Sequence, residues 1–161
     1  MTQIVFDFSE LIIDCLHDKD IKFTNSLSQE MDRKAFISEL FQNLQLACQE
    51  TELKELFKRE HFHFVQNPYI IGKIERLINN KYLELTTLCQ IPLGQTPRLY
   101  GNLQKVKHTN LYLFKALILD PNHLIYEETQ FNKLKNLTCL FSKTDCLTTR
   151  KMGIKKKVRN K

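Results

Sequence analysis

The chain has 161 residues, 42% of them hydrophobic, with eleven Phe, no Trp, and only four Gly and four Pro. That length is enough for one core, and the scarcity of Gly and Pro excludes an extended low-complexity chain and most Gly-rich nucleotide-binding signatures. Net charge is +6 but unevenly held: residues 1–80 carry 9 Lys and Arg against 13 Asp and Glu, and residues 81–161 carry 15 against 5. A half of that sign attracts polyanions, nucleic acid first, with an anionic membrane surface or an acidic protein drawn by the same field.

Cys15, Cys48, Cys89, Cys139 and Cys146 are odd in number and form no C-x-x-C pair. They read as buried free thiols, and with no secretory pattern in MTQIVFDFSELIID the expected setting is a reducing cytoplasm. No apolar run approaches the ~20 residues that a bilayer-crossing helix needs, so a soluble chain with no membrane partner is expected.

In chain order, Thr2 to Phe8 alternate loosely and predict a short strand. Asp7 or Ser9 can then cap a helix over Glu10 to His17 with Leu11, Ile12, Cys15 and Leu16 inward. Ser26 and Gln29 form a capping box for a second helix of about five turns, whose Ile37, Leu40, Phe41, Leu44, Ala47 and Cys48 recur at three- and four-residue steps. Thr51 caps another over Glu52 to Arg59, with Glu55 and Arg59 spaced as an ion pair. Asn67 before Pro68 starts a further helix with Ile70, Ile71, Ile74, Leu77 and Ile78 toward the core. Between them, His61 and His63 share a face if extended, but no further ligand stands at a recognisable spacing, and they read as a polar edge rather than a metal site.

From Tyr82 the pattern turns to strands and tight turns at Pro92, Gly94 and Pro97. A strand marked by Leu99, Leu103 and Val106 carries Lys105 and Lys107. Leu111 to Leu119 is a continuous apolar run broken by Lys115, as a central strand should be. Asp120, Pro121 and Asn122 form a turn, after which His123 to Thr129 and Asn136 to Phe141 predict further strands. The fold class expected is α+β: one domain over 1–161, with N-terminal helices (1–81) packed on a C-terminal antiparallel sheet of three or four strands (82–145), followed by a basic tail (146–161).

The chemistry follows from that sheet. If Lys105, Lys107 and Lys115 share a face, with His108, His123 and Tyr126 near the strand ends, phosphate-binding cations stand beside groups able to move protons. RNA is cut by its own 2′-hydroxyl when a base takes its proton, cations steady the phosphorane and an acid protonates the leaving oxygen. No metal and no cofactor is required.

GNLQKVKHTNLYLFKALILD, followed by a turn and HLIYEETQFNKLKN, resembles the second half of RelE/ParE-superfamily toxins, including the RelE, HigB and YafO branches. The resemblance lies in an N-L element, a Lys-hydrophobic-Lys strand, and a Tyr-containing apolar strand ending in Asp and a turn, over about residues 99–136. It implies a toxin of a toxin-antitoxin pair, cutting mRNA without metal or, in the ParE branch, poisoning gyrase. Lys105 and Lys107 fall on the paired lysines. Leu113 stands where the pattern has an Arg, and Lys133, Lys135 or Tyr126 are stand-ins for its late Arg and Tyr. Beside this stands a non-enzymatic phage or mobile-element inhibitor that binds a nucleic acid or nucleoprotein complex through the basic half. An antitoxin or other protein is a further expected partner.

Overall fold

A computed structural model describes residues 3–28, 32–49, 62–79 and 83–141. The predicted helix over residues 52–59, His61 and the basic tail 146–161 lie outside them. The fold class is α+β. Its frame is a five-stranded sheet in the spatial order β1 (Gln3–Asp7), β7 (Leu111–Asp120), β6 (Arg98–Lys105), β5 (Leu88–Pro92), β4 (His63–Phe64), with a small hairpin, β2 (His17–Asp18) and β3 (Phe23–Thr24), outside it.

The sheet differs from the expected antiparallel meander at both edges. β5, β6 and β7 form the meander, while β1 adds to β7 in parallel, from Gln3 opposite Leu111 to Asp7 opposite Lys115. A parallel neighbour needs a long crossover, which the helical part of the chain supplies.

Helices α1 (Arg33–Gln49) and α2 (Pro68–Ile78) cover opposite faces. Phe36 and Leu44 of α1 pack with Ile91, Leu99, Phe114 and Leu119; Ile70, Ile74 and Ile78 of α2 pack with Leu88, Tyr100, Leu117 and Ile118. A central strand buried on both sides has to be apolar throughout, which is why LYLFKALIL shows no alternation.

Local capping explains where the helices begin. Asn67 takes the Tyr69 N–H on its side chain at 2.9 Å ahead of Pro68, as expected. For α1 the cap is Asp32, whose Oδ1 accepts from Lys34 N at 2.8 Å, and not Ser26. Ser26 is buried in a bend just before Leu27, which bridges Thr138. The inward stripe of α1 is also narrower than expected, since Phe41 and Cys48 are exposed and Phe36 is the buried aromatic.

Two predicted elements are replaced by side-chain-bonded loops. Residues 11–16 are not helical, because Asn25 takes the Leu16 N–H on Oδ1 and gives its amide hydrogen to Asp14 O, both at 2.8 Å. Leu11 serves one core and Ile12 and Leu16 the other, so the spacing never describes a single face. Residues 123–127 turn and run into a 3₁₀ helix, Glu128–Lys133, instead of forming a strand, and Asn136 to Phe141 contributes only the bridge at Thr138. Cys15 is disulfide-bonded, against the expectation of free thiols, whereas Cys48, Cys89 and Cys139 are free.

Candidate active site

Register decides which side chains meet. Asn102 lies opposite Lys115 and Lys105 opposite Tyr112, and opposite residues share a face. Lys105 therefore sits on the α1 face with Tyr112 and Phe114, and Lys115 on the other with Asn102. The expected three-lysine face does not exist. Lys107 and His108 occupy the tight turn after β6, with His108 at φ 61°. The ten residues of β7, about 30 Å of strand, separate that turn from His123 and Tyr126.

A β-bulge then reverses the alternation near the end of β7. Gly101 faces Ala116 while Tyr100 faces Ile118, which leaves Leu117 as the extra residue. Gly101 permits it: a Cβ there would lie 2.2 Å from Lys115 O and 2.8 Å from the Phe114 ring. One inserted residue flips every later side chain to the opposite face. Ile118 and Asp120 thus turn toward α2, where Asp120 lies opposite Arg98.

Fully buried Asp120 organises the loop that follows. Its Oδ1 accepts from Asn122 N and Leu124 N at 3.2 and 3.0 Å, and its Oδ2 from Ile125 N at 2.8 Å. Burial pushes its carboxyl up to about 6 against these donors. From the other side, the buried Lys73 of α2 gives hydrogen bonds to Leu124 O at 3.0 Å and Ile125 O at 3.1 Å and ion-pairs with Glu128 at 3.1 Å. Tyr69 donates to Glu128 and Lys22 reaches it at 3.4 Å. The Tyr69 hydrogen bond, with Lys73 behind it, holds the Glu128 carboxyl below its usual range.

The pinned loop presents His123, Tyr126 and Glu127. His123 has φ 58°, a left-handed conformation that costs a residue with a Cβ about 1 kcal/mol or more and that the loop's bonds enforce. Its Nδ1 stands 3.5 Å from Glu127 Oε1. Tyr126 lies between two imidazoles: its hydroxyl is 3.1 Å from His63 Nε2, the His63 ring meets it edge-on at 5.9 Å, and the His123 ring is 6.0 Å away. Burial raises the Tyr126 hydroxyl above its ordinary pKa, so it keeps its proton at neutral pH.

His63 arrives through the sheet. It pairs with Gln90, which pairs with Tyr100, so the three form a row on the α2 face, and the Tyr100 hydroxyl donates to Gln90 Oε1 at 2.7 Å. Arg98 closes the far side. It is 2% exposed, with Nη1 spent on the carbonyls of Gly94, Gln95 and Pro97, and its Nε is buried with no hydrogen-bond partner among the described residues.

His123 and Tyr126 are therefore brought together, while His108, Lys105, Lys107 and Lys115 are held away from them. Lys133 and Lys135 are exposed and flank Leu134, which lines a cleft beside His123. In the sequence His63 reads only as a possible partner of His61, and no local pattern marks Arg98 or Glu127. The signal available for the rearrangement was Gly101, a lone glycine inside a strand pattern. Among the described residues, no three His, Cys, Asp or Glu side chains gather as metal ligands.

A family profile described as uncharacterised protein UU032 matches residues 8–149, most of the chain. The chain belongs to that family. The match spans the bulged strand, the Asp120 loop and His63, so the whole candidate site lies within the matched residues. No curated protein and no solved structure matches it. No helix among the described residues is long and apolar enough to cross a membrane.

Proposed function

We propose that this UU032-family protein is a toxin-type, metal-independent endoribonuclease acting on mRNA in the cytoplasm, with an antitoxin protein as its natural partner. The observation that carries the reading is Tyr126, protonated and bonded to one imidazole with a second beside it, on a loop fixed at both its N–H and its C=O groups. Rigid placement of proton-moving groups is what acid-base cleavage of RNA requires.

In this reading Glu127 faces Nδ1 of His123, and the other ring nitrogen takes the proton of the 2′-hydroxyl. The 2′-oxygen bonds to phosphorus, the bond from phosphorus to the 5′-oxygen breaks, and Tyr126 protonates that oxygen. His63 restores the Tyr126 proton. Lys133 and Lys135 supply positive charge to the phosphorane. The products are a 2′,3′-cyclic phosphate and a 5′-hydroxyl.

A second reading is a non-enzymatic phage or mobile-element inhibitor of a nucleic acid or nucleoprotein complex. Lys105 and Lys107 favour it, standing exposed at the end of β6 and in the turn after it, remote from Tyr126, where they serve binding without chemistry. Purified protein incubated with single-stranded RNA and a chelator separates the two. Cyclic-phosphate ends that disappear in Tyr126→Phe and His123→Ala support the nuclease, and intact RNA in a salt-sensitive complex supports the inhibitor.

A further inference from the structure

The cleft beside His123 has a volume of about 380 Å³, within the range of clefts that hold small ligands, and its walls include Gln95, Thr96, Asn122, Glu127, Gln130 and Leu134. We infer that it is a nucleobase pocket for single-stranded RNA that selects a base bearing an exocyclic amino group. The inference rests on the nuclease reading and adds the identity of the base next to the cut.

Three features define the occupant. First, the side chains of Gln95, Thr96 and Gln130 make no hydrogen bond to another described residue, so three groups able both to donate and to accept converge on the cleft unengaged. Unpaired bases are read by such groups along their hydrogen-bonding edges. Second, two walls can only accept. Glu127 is a carboxylate, and Asn122 spends its amide nitrogen on Ser26 O at 2.8 Å, which leaves its oxygen. Two acceptors call for two hydrogens to receive, which adenine, cytosine and guanine provide through their amino groups, whereas uracil offers only its single N3–H between two carbonyls. Third, Leu134 supplies an apolar wall for the flat face of a ring, and Lys133 and Lys135 on either side of it supply charge for the adjoining phosphates.

His123 forms part of the same wall, so a base in the cleft sets its own ribose beside the proposed general base. Recognition and cleavage then share one nucleotide. The arrangement predicts a preference for a base on the 5′ side of the broken bond, since that nucleotide owns the attacking 2′-oxygen.

The test uses 2′-O-methyl oligonucleotides, which bind without being cut. Fluorescence anisotropy compares an all-uridine strand with strands carrying one adenine, cytosine or guanine. About tenfold tighter binding of the three amino-bearing strands is expected. The combined change Gln95→Ala and Gln130→Ala, which strips two of the groups that read the base, should remove that advantage. Equal binding of all four strands, no binding of any, or an advantage that survives the double change overturns the pocket. A protein that shows the preference but cuts no unmodified RNA sinks the nuclease reading alone, and one that cuts without base preference sinks the pocket alone.

Discussion

Asp120 and Lys73 grip one loop by its two kinds of backbone group: the carboxylate takes the N–H groups of Asn122, Leu124 and Ile125, and the ammonium takes the carbonyls of Leu124 and Ile125. Asn122, Leu124 and Ile125 thereby lose groups a strand would need, and the loop's side chains are held at fixed positions.

Lys73→Met should release that loop. Two carbonyls are left buried without donors, which costs about 3 kcal/mol. Hydrogen exchange at Leu124 to Glu128 should speed up well before that of β6 and β7, and RNA cleavage should fall with it. Unchanged exchange in the loop would show that Lys73 does not hold it.

Asp120 makes a pH prediction of definite sign. Its carboxyl is pushed up to about 6 in the folded protein against an ordinary 3.8, so the folded state binds its proton more tightly than the unfolded state. This group's contribution to stability therefore falls as pH rises from about 4 to 6, by roughly 3 kcal/mol, and levels off above. Denaturant titrations of wild type and Asp120→Asn across that window isolate it. The stability difference, wild type minus variant, should grow as pH is lowered, and a difference that shrinks instead contradicts the assignment.

Gly101→Ala tests the bulge. The new methyl meets the Lys115 carbonyl, which is main chain and cannot swing aside. A loss of about 2–3 kcal/mol is expected. If the strand re-pairs without the bulge, Asp120 turns away from α2 and cleavage goes with it. A variant as stable and active as wild type would falsify the role given to this glycine.

His123 should show a trade between stability and function. His123→Gly relieves the left-handed conformation, and His123→Ala does not, so the glycine variant should be about 1 kcal/mol the more stable of the two by thermal melt. Neither should cut RNA. Equal melting temperatures would mean that the strain is not there.

Lys105→Ala with Lys107→Ala should spare the chemistry. Both residues stand a strand's length from Tyr126, so single-turnover cleavage should keep its rate. Affinity for RNA should fall, with the slope of log affinity against log salt reduced by about 2. A drop in the single-turnover rate at saturating protein would place these lysines at the reaction after all.

Much of the fold was legible locally. The Asn67–Pro68 start, the turn at Asp120 and Pro121, the first strand and the apolar run of β7 each carry their signal within a few residues, because capping, proline geometry and burial act over that range. The failures were failures of range. Asn25 dismantles the helix expected over Glu10 to His17 from up to eleven residues away, and Lys73 reaches fifty-one residues forward to unmake the strand expected at His123.

The sequence by itself determined the α+β class, the basic second half and the presence of His123 and Tyr126 near the end of a buried strand. Only the tertiary structure decided the company they keep. A strand side chain takes its direction from register, and register is set by pairing with distant chain: one extra residue opposite Gly101 turned Asp120 toward α2, and a two-residue edge strand carried His63 to Tyr126. The same pairing placed Lys105 and Lys115 on opposite faces, because alternation along each strand is local but the choice of which face meets which helix is not.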